Sequence, residues 1–324
     1  MTKNTTYSLL KCSLVIVIVS LAQACTLKIP IDTPDVSMLS YNTKESKEVV
    51  QLNLKDNFDI KHQVSNGSIK INLVHNNTVL KASPFIFSSL KRELEARKLP
   101  VEYSDLGDNI IEFQEFEILN HMANGYSPVV TISTIKAELI TKNGNKKISA
   151  MVKRGKVPVW SIKEINAPCY NEPVELLIKE IAAKINRELF GYSLNDEQVN
   201  KLVNKVNREA NNNRLSYFDV YELGFSNNPK AIEPLKEFTK HKSEYIRIAA
   251  ISSLGILGAK DFLENFKLIY KNAKLWQDRG MALKAIGDLG SNEAIEYLMQ
   301  EKVKWKKLTT NEAKWNTLII DLYI

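Results

Sequence analysis

Between about Glu48 and Gly191 the hydrophobic positions change period several times. Val49–Leu54 and Ile69–Val74 alternate apolar and polar residues, which predicts half-buried strands, and Asn66-Gly67 between them is a turn signal. Ser83-Pro84 predicts a helix start, with Ser83 as N-cap and Pro84 at the first helical position. Phe85, Phe87, Leu90, Leu94 and Leu99 give that helix an apolar stripe, which stops before Pro100. Ile110–Ile118 and Val129–Leu139 return to strand-like patterns, and Asn143-Gly144 marks a hairpin turn into Lys147–Lys153. Glu172–Phe190 places Val174, Leu177, Ile178, Ile181, Ile185 and Leu189 on one helical face, and Gly191 stands where a C-cap glycine belongs. The expected architecture of this stretch is α+β, an antiparallel sheet packed with two helices.

Beyond residue 215 the pattern repeats. Arg247-Ile248-Ala249-Ala250-Ile251-Ser252-Ser253-Leu254-Gly255-Ile256-Leu257-Gly258 aligns with Arg279-Gly280-Met281-Ala282-Leu283-Lys284-Ala285-Ile286-Gly287-Asp288-Leu289-Gly290 at an interval of 32 residues. Ala231–Leu235, Phe262–Phe266 and Ala294–Leu298 match upstream of it. Paired helices at this period mark a helical solenoid. The residues resemble HEAT repeats of the short Arg-Ala-Leu-Gly type also found in phycobilin lyases. The resemblance implies three repeats between Pro229 and Ile324, a partial helix at Leu215–Leu223 and an end-capping last repeat. Gly255-Ile256-Leu257-Gly258 and Gly287-Asp288-Leu289-Gly290 look like nucleic-acid loops, but their recurrence at the repeat period reads as helix capping.

The N-terminus has a different character. Lys3 and Lys11 precede a short apolar run, Ser13–Leu21, which is about half of the ~20 residues a spanning helix needs. Leu21-Ala22-Gln23-Ala24-Cys25 resembles a bacterial lipobox. That resemblance implies cleavage before Cys25, diacylglycerol on its sulfur and acylation of its amine, so that the membrane is engaged through a lipid anchor. An uncleaved anchor or a buried strand is the alternative for the apolar run. Thr26 rather than Asp follows the cysteine, which implies outer-membrane sorting in a Gram-negative host. Of the three cysteines, the resemblance implies that Cys12 would leave with the signal and Cys25 would carry lipid. Cys169 remains, and it reads as a small buried hydrophobe. The expected division is therefore a signal peptide at 1–24, a lipidated tether at 25–47, an α/β domain at 48–191, a linker helix at 192–214 and HEAT-like repeats at 215–324.

Asn120-His121, Gly125-Tyr126-Ser127-Pro128 and Val152-Lys153-Arg154-Gly155-Lys156-Val157-Pro158-Val159-Trp160 resemble stretches in the α/β domain of Gram-negative envelope lipoproteins, among them auxiliary lipoproteins of ABC-type transport systems. By pattern alone these segments are turns with an exposed basic loop.

Composition narrows the chemistry. The chain of 324 residues has 44 Lys and Arg against 37 Asp and Glu, a mild basicity suited to anionic envelope polymers or lipid head groups. Loss of residues 1–24 would remove two of those bases and no acid. The four histidines, His62, His75, His121 and His241, share no metal-ligand spacing. No nucleophile-elbow, P-loop or dinucleotide motif occurs. His121 beside Gly125-Tyr126-Ser127 is the one local hint of a serine site. Glu112, Glu115 and Glu117 read as the solvent face of a strand. Lys302, Lys304, Lys306 and Lys307 around Trp305 resemble a nucleic-acid patch, but an exported protein favours a solvated helix end or an anionic surface. The expectation is a non-enzyme: no catalytic residue, metal, cofactor, small-molecule substrate or nucleic acid is called for, and an envelope protein is the expected partner. Second helices at about Ser243–Leu257, Lys274–Leu289 and Asn311–Asp321 are expected to line a concave face. Arg247, Lys274, Trp276 and Arg279 are the candidate partner-binding residues. The two arginines alternatively form a ladder to carbonyls or acids between repeats, and Trp276 alternatively packs on its neighbour. The expected function is a lipid-anchored envelope scaffold; an accessory lipoprotein handling apolar cargo for a transport system is the alternative.

Overall fold

The computed structural model describes residues 27–42, 48–58, 66–68, 71–124, 126–157, 162–211 and 213–324; the signal segment, Cys25, His62 and the Pro158–Trp160 end of the basic stretch lie outside them. The larger sheet has seven strands and orders its main path as β10 (Ala150–Val157), β8 (Val129–Thr141), β7 (Asn109–His121), β2 (Val50–Asp56) and β6 (Val101–Tyr103). Strands β7, β8 and β10 are antiparallel, as the alternating pattern predicts, but β2 runs parallel to both β6 and β7. The sheet is therefore mixed rather than antiparallel. The cause is the connection from β2 to β6, which passes through helix α1 (Ala82–Ala96) and brings the chain back in the same direction. Helix α1 begins at Ala82, just before the expected start, and Ser83 spends its hydroxyl on Asp56.

Strand β7 shows how spacing encodes geometry. Its pairing with β8 shifts register between Phe113 and Glu115, so Gln114 is an extra residue. Ile111, Phe113, Phe116 and Ile118 are all buried, although the middle pair is three residues apart. A bulge absorbs that odd interval and returns the later residues to the core face. Glu112, Glu115 and Glu117 are half-buried instead of fully solvated, with Glu115 opposite Lys136.

Asn66-Gly67 is not a simple turn. It is the short strand β3 (Asn66–Gly67), paired with Leu119 and Asn120 of β7. Gly67 has φ of 104°, and a Cβ there would sit 1.9 Å from the Asn120 carbonyl oxygen. The glycine is needed for close approach. The hairpin turn nearby is instead Asn76-Asn77 between β4 (Ile71–His75) and β5 (Thr78–Val79); both residues have positive φ, as a primed turn requires. Strand β9 (Gly144–Lys147) follows β8 through the expected Asn143-Gly144 turn.

The expected tether is largely part of the body. Strand β1 (Leu27–Pro30) pairs in parallel with β4, and Ile29, Ile31 and Tyr41 are buried. The segment is held by Ser37 N–H donating to Glu93 Oε2 at 2.8 Å and by Tyr41 Oη donating to the Phe225 carbonyl at 2.8 Å. Pro30 and Pro34 keep it extended, and its apolar residues supply the anchors.

After β10 come α2 (Ile162–Asn166), a wide turn at Ala167–Asn171, and α3 (Glu172–Leu189). The Gly191 cap forms as expected: φ is 69° and its N–H donates to the Asn186 carbonyl at 2.7 Å. Helix α4 (Asp196–Glu209) starts on a capping box of Asn195 and Gln198. Then α5 (Ser216–Phe225) precedes three helix pairs: α6 (Ile232–Phe238) with α7 (Glu244–Ile256), α8 (Leu263–Asn272) with α9 (Trp276–Leu289), and α10 (Asn292–Trp305) with α11 (Asn311–Asp321). Helices α5, α7, α9 and α11 stack in sequence. The paired glycines divide the work. Gly258 and Gly290, at φ of 71° and 62°, sit at the ends of α7 and α9. Gly255 lies inside α7, where a Cβ would fall 2.6 Å from Ala285 Cα of α9, so it sets the helix spacing.

The expected boundary at residue 191 separates two sets of elements but not two cores. Buried side chains from Ile29 to Tyr323 form one cluster, and α3 is buried along almost its whole length.

Candidate functional site

The predicted partner-binding residues lie along the edge where α7, α9 and α11 begin. Arg247 donates through Nε to Asp278 Oδ2 at 2.9 Å and through Nη1 to the His241 carbonyl at 2.9 Å. One repeat later Arg279 grips Glu312 through Nε and Nη2, both at 2.8 Å, and its Nη1 donates to the Ala273 carbonyl at 2.7 Å. Each arginine ties its own helix to the preceding loop and to an acid on the next second helix. This is the ladder arrangement: the forked guanidinium suits a carboxylate and a carbonyl at once. Their donors are largely committed within the chain.

Trp276 and Lys274 are placed differently. Lys274 is exposed. Trp276 is half-buried and packs on Trp315 of the next second helix, with ring centroids 4.4 Å apart. Trp315 also meets the edge of the His121 ring at 5.3 Å, and Asn311 Nδ2 lies 3.4 Å from His121 Nε2. The Lys153 ammonium lies 5.4 Å from the Trp276 ring centroid. These contacts form an aromatic rim where the end of β7 meets the last helix pairs. Trp315 and His121 were not in the predicted set; the signal for Trp315 was the tryptophan that follows Trp276 on the next second helix. His121 is thus a packing partner of Trp315.

The basic stretch is not an exposed loop where it is described. Lys153 and Arg154 lie on β10 and are buried. Lys153 Nζ contacts Glu244 Oε1 at 2.5 Å. The Arg154 guanidinium stacks 4.0 Å from the Tyr245 ring centroid and 4.8 Å from that of Tyr217, and its Nη2 is 3.4 Å from Glu172 Oε2. The array supplies the aromatic faces and carboxylates that make burying these charges tolerable.

The same seam fills the inner face expected to hold a partner. Ile246, Ala250, Leu254, Ala282, Ile286 and Leu289 are buried and Leu257 half-buried, but on α9 the spacing turns Ala282 and Ile286 away from Lys284 and Asp288, and it is the side carrying Lys284 and Asp288 that α3 covers. Lys184 Nζ contacts Asp288 Oδ1 at 2.6 Å and Glu180 Oε1 at 2.7 Å, while Lys284 Nζ contacts Glu180 Oε1 and Asp288 Oδ2, both at 2.7 Å. Tyr323 Oη donates to Asp288 Oδ1 at 2.8 Å, and Lys184 also donates to the Ser149 carbonyl. Two cations and two anions thus close a balanced square with no water-exposed side. Burial opposes the charge on Lys284, yet Asp288 and Glu180 outweigh it and hold its pKa above the usual lysine value. Burial also opposes the Asp288 carboxylate, but Lys184 and Lys284 hold that carboxyl below its ordinary range.

A cleft of about 710 Å³ opens between the Asp35–Leu39 segment, α3, α4 and α5. Leu176, Leu202, Phe218 and Phe225 line its apolar part, and the ion pairs Lys179–Glu175 and Lys205–Asp219 line its rim. Burial raises the Glu175 and Asp219 carboxyls despite those lysines. The hydroxyl of buried Ser37, also in the lining, has no hydrogen-bond partner.

Cys169 is fully buried, and burial pushes its thiol up to about 11. That fits a packing residue rather than a nucleophile. Among the described residues no three His, Cys, Asp or Glu side chains group to hold a metal. No described helix is long and apolar enough to cross a membrane. No protein-family model matches the sequence, and no characterised protein matches it either.

Proposed function

We propose that this chain is a lipid-anchored protein of the bacterial envelope, held to the outer membrane through Cys25, and that it works as a scaffold for another envelope protein rather than as an enzyme. The reading takes the paired helices as a HEAT-like array with its 32-residue period. The observation that supports it is the rim of Trp276, Trp315 and His121 with Lys274 exposed beside it. Half-buried aromatic rings with a neighbouring cation are the chemistry of a protein-recognition anchor. The inner face is already filled by α3, so the partner is received on this rim. The test replaces Lys274 with a photo-crosslinking residue in the native host, with the same residue at Leu268 on an outer helix as the control. A single adduct at Lys274 that is missing at Leu268 supports the reading. Equal adducts at both positions, or none at Lys274, overturn it.

A second reading, an accessory lipoprotein that carries apolar cargo for a transport system, draws on the 710 Å³ cleft, whose size suits a small ligand. Co-purified lipid that is lost on Phe218→Asp would favour it.

A further inference from the structure

We propose that the C-terminal end of α10 and the turn after it form a contact for an anionic lipid surface, distinct from the Cys25 anchor and independent of it.

Helix α10 carries apolar residues on both its inner and its outer side. Leu298 is buried, and Glu301 accepts from Tyr270 Oη of α8 at 2.7 Å. Trp305 Nε1 donates to the same Tyr270 oxygen at 2.8 Å. That side is the helix's inner face. Met299 and Val303, one turn apart, nonetheless stand on the outer face at 52% and 58% exposure, and Leu308 follows them at 52%. Single exposed aliphatics are ordinary, but Met299 and Val303 adjoin on one helical face and Leu308 follows just past the helix end, which makes a small patch.

Lysines frame that patch. By helical spacing Lys302, Lys306 and Lys307 flank Met299 and Val303 on the outer face. Lys302 is matched by Asp321 at 2.5 Å, and Lys304 by Glu301. Lys306, Lys307 and Lys314 are exposed, and none of the three is in an ion pair among the described residues. Lys306 and Lys314 share with Leu308 and Trp305 the wall of a recess of about 580 Å³ between α10 and α11. Cations at a helix C-terminus are also favoured by the helix dipole, so the charge is held there at little cost.

Aliphatic residues in the plane with lysines at their margin are the chemistry of an interfacial lipid contact. The Val, Met and Leu side chains enter the acyl boundary, and the lysine stems lie along it with their ammonium groups at the phosphates. A single-stranded nucleic acid needs exposed rings for its bases. Here the exposed residues are aliphatic, and the Trp305 indole is turned inward onto Tyr270.

The test uses the chain from Thr26 onward without acyl chains, in flotation with phosphatidylcholine vesicles that contain or lack phosphatidylglycerol. Binding is expected only to the anionic vesicles and should weaken as salt rises. Lys306→Gln with Lys307→Gln should cost about fivefold for each lysine removed. Val303→Asp should also weaken flotation, whereas Leu268→Asp on α8 should leave it unchanged; these sites are exposed, so melting temperatures should stay put. Failure to bind anionic vesicles, equal binding to neutral ones, or an unchanged Lys306→Gln/Lys307→Gln double variant each overturns the proposal. So does an oligonucleotide that binds the same protein more tightly than the vesicles and displaces them.

Discussion

The two long faces of α3 are built from opposite chemistry. Toward the sheet and α1 it presents Val174, Leu177, Ile178, Ile181 and Ile185, all buried hydrocarbon. Toward the helical array it presents Glu180 and Lys184, equally buried and locked to Lys284 and Asp288. The apolar face gains from burial whatever its neighbour's exact position, because the hydrophobic effect is non-directional. The charged face gains only when four side chains meet in one arrangement, since an unpaired buried ion costs several kcal/mol. The difference teaches a division of labour: the apolar side holds, and the charged side selects the register in which the array docks.

The most severe way to break that comparison is to remove one side. A chain ending near Asn200 keeps α3 and the sheet but loses α5, α7 and α9. Glu180, Lys184 and the aromatic-stacked Arg154 would then lie on an open surface beside newly bared apolar residues. The expected outcome is an aggregating product with no cooperative thermal transition. A soluble fragment that melts sharply would show that residues 48–191 hold a core of their own.

A point substitution tests the selective side alone. Lys284→Met leaves Glu180 and Asp288 sharing one lysine and should cost about 3–5 kcal/mol in denaturant titration. Replacing Glu180, Lys184, Lys284 and Asp288 together by Leu or Met should come out near neutral, because all the desolvation penalties go at once. The sign with pH follows from the shifts. Asp288 is held below its ordinary pKa, so its contribution is present above the unfolded carboxyl's range and is lost as pH falls through the folded value. Lys284 is held above its ordinary value, so its contribution is complete below the unfolded lysine pKa and fades only as pH rises through the folded one. Acid titration of wild type against the fourfold apolar variant should show a steeper loss for wild type. Parallel curves would mean that the square is not linked to folding.

How far this was legible in the sequence follows from the same two faces. The apolar stripe of α3, its terminal glycine and the strand patterns announce the α+β body, and the 32-residue echo announces the helix pairs. The pattern is silent where one residue carries the geometry, as at Gln114, whose bulge no period of two can show. The docking of the halves was hidden because Glu180, Lys184, Lys284 and Asp288 look like solvent-facing charges: each is paired four residues along its own helix, the commonest surface pattern. Only the fold reveals that the two helices place those pairs against each other. The N-terminal segment misled for a related reason. Prolines and scattered polar residues describe a linker, but an edge strand and a few apolar anchors suffice to dock such a chain. At the rim, Trp276 was legible, while Trp315 and His121 needed the array to bring them together.

The smallest expected effect concerns that rim, where holding and selecting meet. Trp276 is half-buried on Trp315, so Trp276→Ala loses part of a ring's burial and an aromatic pair of about 0.5–1.5 kcal/mol. The total should be roughly 1–3 kcal/mol, below the 3–5 expected for a fully buried ring. Leu254→Ala, at a position with 0% exposure, should cost about as much or more, in the range of 2–5 kcal/mol. The two variants separate in what they do to a partner. Trp276→Ala should abolish the Lys274 crosslink at temperatures where the protein is still folded, because the anchor ring is gone. Leu254→Ala should keep the crosslink until the protein melts. If both variants lose the crosslink only on melting, Trp276 serves the packing of α9 on α11 and the rim presents no anchor.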